Sequence, residues 1–193
     1  MNLSTSKHTK AVLGIDLGTS GCKVTAVRVD GEFLHSASAS YPTFCPQPAW
    51  AEQDPRDWLL AVTDATRRLL SQIRLTGHEP EIAGLALSSA AHIGVLLDGN
   101  NRPLRRAILW SDQRTTAEVQ FLEDLCGPEI LDRTYQKVST TWTLPHLAAA
   151  QRTRGVEEEN SCRSIQGFSA ALAIRTLRDR SGHCRFCPAV RCG

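Results

Sequence analysis

No run of apolar residues in this 193-residue chain approaches the roughly 20 needed to cross a bilayer, which excludes a membrane-spanning helix. The amino-terminal MNLSTSKHTK has no apolar middle and does not read as a secretory signal, so the expected compartment is the cytoplasm. Charge of one sign is lacking too. Lys and Arg number 22 against 20 Asp and Glu, a net +2, which argues against nucleic-acid or membrane partners. The glycine spacing of a P-loop is absent, and there is no internal repeat. Seven cysteines are an odd count, with Cys22, Cys45 and Cys126 scattered as buried or free thiols. A disulfide framework is excluded, and a chain of this length has interior enough to need none.

What is present is ordinary in bulk, at 41% hydrophobic and 22% charged residues, but uneven along the chain. From Gln151 onward eight arginines face four acidic residues, and four cysteines (Cys162, Cys184, Cys187, Cys192) crowd the same end. Residues 11–17 read as a short buried strand. Residues 22–29 alternate as a half-buried one, Asp30-Gly31 is a hairpin turn, and EFLHSASAS returns as a third strand. A proline-rich loop then leads to a helix over DPRDWLLAVTDATRRLLSQIR. Asp54 can cap it, Pro55 suits its first turn, and Trp58, Val62, Ala65, Leu69 and Ile73 share one face. EIAGLALSS reads as a buried strand of small residues and IGVLLD as another. SDQRTTAEVQFLEDLCG suggests a helix capped by Ser111 or Asp112 and stopped at Gly127, with a further helical piece near 142–151. Three antiparallel strands, a helix, then alternating strands and helices indicate an α/β domain on a mixed sheet.

The stretch LGIDLGTSGCKV, residues 13–24, carries the chemistry. An apolar strand ends on Asp16, turns through Gly18-Thr19-Ser20-Gly21, and continues at once as a second strand. Such a turn can expose successive backbone N–H groups in a concave nest suited to phosphate oxygens. Thr19 and Ser20 add hydroxyl donors, and Lys23 brings positive charge. Asp16 alone repels phosphate; it makes sense with a divalent cation, Mg²⁺ through water, held between them. The bland alternative is a hairpin with an exposed aspartate.

Asp-Leu-Gly-Thr-Ser on a first hairpin resembles the first phosphate motif of the actin, hexokinase and Hsp70 ATPase fold. PAWAEQDPRDW (48–58), SSAAHIGVLLD (88–98) and RRAILWSDQRT (105–115) follow in the order and spacing of the FGGY carbohydrate kinases, and within them are most similar to xylulokinases. The resemblance covers residues 11–150. It implies an RNase-H-like mixed-sheet domain, incomplete here, of an enzyme that moves the γ-phosphate of ATP, with Mg²⁺, to a hydroxyl of a small sugar. For xylulokinases that sugar is D-xylulose and the product its 5-phosphate. By the same resemblance Asp16 is the cation-linked carboxylate, and Gly18, Thr19, Ser20 and Lys23 belong to the phosphate-facing loop. Ala91, His92 and Trp110 border the sugar. Ala91 stands where xylulokinases carry Met, which makes that wall of the pocket smaller, while the imidazole of His92 can both donate and accept a hydrogen bond. The other reading of His92 is a structural histidine at a strand end. Trp50 and Trp58 bracket the helix entrance and read as core packing, with sugar stacking the alternative. Glu52 and Gln53 either touch substrate or support the Asp54 cap, and Asp112 and Arg114 stand behind the site.

Three segments are expected: a polar tail over 1–10, the kinase-like N-terminal domain over 11–156, and an atypical Arg/Cys-rich tail over 157–193. The resemblance places the proton-accepting aspartate, the second phosphate loop and the adenine-binding glycines in a second domain outside this sequence. The expectation is therefore a fragment with little turnover by itself, its tail being of the kind a shifted reading frame produces. His183, Cys184, Cys187 and Cys192 are enough ligands in number for zinc. Two other function classes stand beside the kinase: a non-catalytic actin-like or Hsp70-like nucleotide-binding module, and a non-functional truncated product. His92 and the WAEQDP stretch favour the kinase. Composition specifies no oligomeric state.

Overall fold

The computed structural model describes residues 9–77, 80–154 and 161–164. Strand β1 (Lys10–Leu17) pairs antiparallel with β2 (Gly21–Arg28), which pairs antiparallel with β3 (Phe33–Ser40). Helix α1 (Pro55–Leu75) then carries the chain back across the sheet to β5 (Glu81–Ser89), parallel to β1, so the order is β3-β2-β1-β5. A two-residue strand β4 (Glu52–Gln53) lies within the loop before α1 and pairs with β7 (Ala107–Ile108). Strand β6 (Gly94–Leu97) pairs with β8 (Ser161–Ser164). Helices α2 (Thr116–Thr134) and α3 (Thr143–Arg154) complete the described elements.

One face of the sheet forms the core. Ala11, Leu13, Ile15 and Leu17 of β1 alternate with exposed residues, and Cys22, Val24 and Ala26 of β2 with half-buried or exposed ones, so both strands turn one row to the face on which α1 packs, closest over β2 and β3. From α1, Trp58, Ala61, Ala65, Leu69 and Ile73 recur at three- and four-residue intervals and are buried against them. Burial of each of these larger side chains contributes about 1.5–3 kcal/mol. Asp54 caps α1, its Oδ1 accepting from the Arg56 N–H at 2.9 Å, with Pro55 in the first turn. Cys22, Cys45 and Cys126 are all free thiols.

Three sequence expectations need correction. β1 is half-buried rather than enclosed, because its Val12, Gly14 and Asp16 lie on the face away from α1. β5 is largely exposed, with Ile82 and Leu85 at 39% and 45%: they share the row of Ala11 and Leu13, but α1 packs over β2 and β3 and leaves β5 largely uncovered among the described residues. α2 begins at Thr116, not at Ser111, and its N-cap Thr115 makes no side-chain cap. Asp112 instead turns its carboxylate to the Ala51 N–H and to Arg114. Nor does Gly127 stop the helix. The chain kinks at Cys126, ahead of Pro128, and continues to Tyr135, which closes the helix in the left-handed conformation (φ 58°).

Candidate functional site

Pairing register sets the first row of the site. Asp16 lies opposite Lys23 on β2 and beside Ser88 on β5, all three exposed on the face that α1 does not cover. Gly14, Thr25 and Ala86 form the next row. Together the two rows floor an open depression of about 330 Å³. Small side chains beneath one carboxylate and one ammonium leave room for a ligand that carries charge of both signs.

At the end of this row, the β1–β2 turn is held from behind. The Leu17 carbonyl accepts from the Ala90 N–H at 3.1 Å, and the Gly21 carbonyl from the Gly18 N–H at 3.0 Å. The Tyr41 hydroxyl sits 2.5 Å from the Gly18 carbonyl oxygen and 3.0 Å from that of Gly21. Burial pushes Tyr41 up to about 12, so it remains a protonated donor at neutral pH. The Thr19 carbonyl accepts from Gln53 Nε2 at 2.7 Å, and the Ser20 carbonyl from the Tyr41 N–H at 3.4 Å. Every carbonyl from residue 17 to 21 is thus engaged on the protein side. The Thr19 and Ser20 N–H groups donate to nothing among the described residues, and both residues are exposed. Gly21 is required by a close approach, for a Cβ there meets the Ala39 carbonyl oxygen at 2.6 Å.

The bond from Ala90 to Leu17 brings the end of β5 against this turn, so Ala91 and His92 follow directly beside it. Both are exposed. His92 has φ 60°, a left-handed backbone that costs energy for a non-glycine residue and that tends to occur where function demands it. Trp110, 42% exposed, follows β7, next to Leu109, whose N–H donates to the Ala51 carbonyl.

Behind these residues lies a buried charge network. Arg114 donates to Asp112 Oδ2 at 2.7 Å and to Glu52 Oε1 at 2.8 Å, while Arg105 reaches the same Glu52 oxygen at 2.9 Å. The Arg114 guanidinium stacks 3.6 Å from the centre of the Trp50 ring. Burial raises the Asp112 carboxyl, but the Arg114 guanidinium and the N–H groups of Ala51 and Arg114 outweigh it and hold the carboxyl below its ordinary range. Glu52 therefore neither contacts the β1–β2 turn nor caps α1; it ties the PAWAEQ segment to the LWSDQR segment.

His146 of α3, 3% exposed, is a group that sequence reasoning missed. Burial holds its imidazole below the ordinary 6.5, opposed by the Thr140 backbone and Asp112 and assisted by the nearby charges of Arg114 and His92. The folded state thus binds this proton less readily than the unfolded chain. Its contribution to stability is complete above pH 6.5 and is lost as pH falls from there towards the folded-state value. Urea midpoints are expected to decline as pH falls below the ordinary 6.5, and His146→Gln to flatten that part of the profile.

The match to a family model decides the lineage. Residues 11–153 match the N-terminal domain of the FGGY family of carbohydrate kinases. The chain belongs to that family. Among curated FGGY relatives it is similar to the xylulose kinase of Bacillus subtilis, 36% identical over 138 residues, which covers 72% of this chain and 27% of that protein. A solved structure described as a "xyloylose kinase" from Brucella ovis superposes with a TM-score of 0.69 at 32% identity, over 75% of this chain and 29% of the other. A Plasmodium falciparum glycerol kinase solved with ADP gives 0.75 at 17% identity, over 82% of this chain and 33% of the other, and shows the fold alone. The chain spans about a third or less of the length of these relatives. Its mixed sheet is accordingly the actin/hexokinase-like ATPase fold of FGGY carbohydrate kinases. Among the described residues no helix is long and apolar enough to cross a membrane, and no three His, Cys, Asp or Glu side chains gather as a metal site. The cluster His183, Cys184, Cys187 and Cys192 lies outside the described residues.

Proposed function

We propose that this chain is the phosphate-holding N-terminal domain of a cytoplasmic, xylulokinase-type enzyme that transfers the γ-phosphate of ATP to a hydroxyl of a ketose. The observation that carries this reading is the β1–β2 turn, with its carbonyls engaged inward and the Thr19 and Ser20 N–H groups free, next to the row of Asp16 and Lys23. Phosphoryl transfer depends on positioning and charge stabilisation, and this arrangement supplies both. Thr19 and Ser20 offer N–H and O–H donors to phosphate oxygens, Gly18 lets the turn close, and Lys23 offsets phosphate charge.

Asp16 fits Mg²⁺ brought with the nucleotide. It is an exposed carboxylate beside anion donors, a placement that is unfavourable to bare phosphate and favourable to a hydrated cation bridging the two. When bound, the cation neutralises charge on the phosphates. Asp16 would hold it beside the turn, and His92, Ala91 and Trp110 would border the acceptor sugar, His92 as the hydroxyl partner. His92 and the WAEQDP stretch, which match the sugar-kinase pattern, favour this reading over a non-catalytic nucleotide-binding module. The 193 residues alone are expected to turn over little, and sugar phosphorylation to appear once the nearly three-quarters of the relative's length that they do not span is supplied.

Binding of MgATP to the 193-residue chain, followed by titration calorimetry, tests the reading. Asp16→Asn should weaken MgATP binding on the order of tenfold, while ATP in EDTA binds as well as before or better. Equal MgATP affinity in the two proteins removes Asp16 from the role. With the remaining length supplied, a panel of pentuloses, hexuloses, gluconate and glycerol identifies the acceptor.

A further inference from the structure

We infer that Gln53 and Tyr41 are positioning residues that aim the β1–β2 turn at its anion, by holding the turn's carbonyls inward so that the Thr19 and Ser20 N–H groups face out. The inference rests on the phosphate-holding role proposed above and assigns it a mechanism.

Gln53 is 2% exposed, and its amide is fully used. The indole N–H of Trp58, a donor only, reaches Oε1 at 2.9 Å, which fixes which end of the amide is oxygen. Nε2 must then face the other way, where it donates to the Thr19 carbonyl at 2.7 Å and to Thr43 Oγ1 at 2.8 Å. Tyr41 works from the neighbouring strand end with its hydroxyl against the carbonyls of Gly18 and Gly21. A four-residue turn has many conformations, and most point one carbonyl outward. Such an outward carbonyl repels a phosphate oxygen. Binding two inner carbonyls from buried or nearly buried donors removes those conformers before any ligand arrives, so the cost of ordering is met in folding. Neither side chain touches the ligand. Each acts through the main chain of the turn.

The test uses the ¹⁵N-labelled full chain with MgATP and inorganic pyrophosphate as probes. Gln53→Glu keeps the shape and the acceptor for Trp58 but sets an acceptor against the Thr19 carbonyl. Tyr41→Phe keeps the ring and deletes only the hydroxyl. Each is expected to shift or broaden the amide signals of Thr19 and Ser20, leave those of α1 in place, and weaken both probes on the order of tenfold. A folded variant whose Thr19 and Ser20 signals and probe affinities match the wild type overturns the role of that residue. If the unaltered chain binds neither probe, the phosphate-holding role itself fails. The amide signals still decide whether these side chains set the turn. Should Gln53→Glu fail to fold, Gln53→Met, of similar volume and without the donor, gives the same readout.

Discussion

Replacing Arg114 by methionine is expected to cost about 3 kcal/mol of folding stability, the largest loss from any single charge in the described structure. The guanidinium is 5% exposed and bridges two carboxylates, Asp112 at 0% and Glu52 at 10%. Methionine fills the volume over Trp50 but leaves Asp112 buried with only the Ala51 and Arg114 N–H groups for company. Glu52 keeps Arg105. The loss should depend on pH in a definite direction. The folded-state pKa of Asp112 lies below its ordinary 3.8, so the stability it contributes is present above that value and disappears as pH falls through the folded-state value. The gap between wild type and Arg114→Met is thus widest near neutrality and narrows in acid. Urea unfolding at several pH values reads both effects. A double-mutant cycle with Asp112→Asn isolates the pair, and a coupling near zero removes the network from the account of stability.

Truncating Trp58 to alanine is expected to cost about 3–5 kcal/mol, as for other large aromatics removed from a packed core. Its ring is 2% exposed in the first turn of α1, among the residues packed beneath β1 and β2. The substitution has a second consequence beyond the cavity. Gln53 Oε1 loses the donor that orients its amide, so the amide can rotate away from the Thr19 carbonyl. Trp58→Phe separates the two effects. It restores most of the buried area while still removing the indole N–H, so stability should recover more than nucleotide affinity does. Equal recovery of both indicates that the indole N–H has no part in orienting Gln53.

Much of this was legible because the decisive chemistry is local. LGIDLGTSGCKV specifies its own strands and turn, and α1 declares itself through Asp54, Pro55 and the apolar residues spaced behind them. The misreadings arise where a short apolar run has two physical meanings. AVLGIDL and EIAGLALSS are the same pattern whether both faces are covered, one or neither, and only the packed structure shows that β1 is covered on one side while α1, lying over β2 and β3, leaves β5 largely open. Asp112 resembles a helix cap in sequence, yet its carboxylate finds better partners 61 residues away in chain position at Ala51. Gln53 stood out within WAEQDP, but its task depends on Thr19, 34 residues earlier, a pairing no periodicity reveals. Tyr41 gave no signal at all. The left-handed backbone of His92 is likewise a property of how β5 ends, invisible in the letters.

The same two segments serve both sides of the proposed site. Ala90, whose N–H holds the Leu17 carbonyl, leads straight into Ala91 and His92, and β4, which carries Gln53 to the Thr19 carbonyl, pairs with β7, which Trp110 follows. On the proposed reading, grip on the donor and choice of acceptor are mechanically linked, so substitutions at residues 91, 92 and 110 chosen to change the polyol should also be felt in the hold on triphosphate.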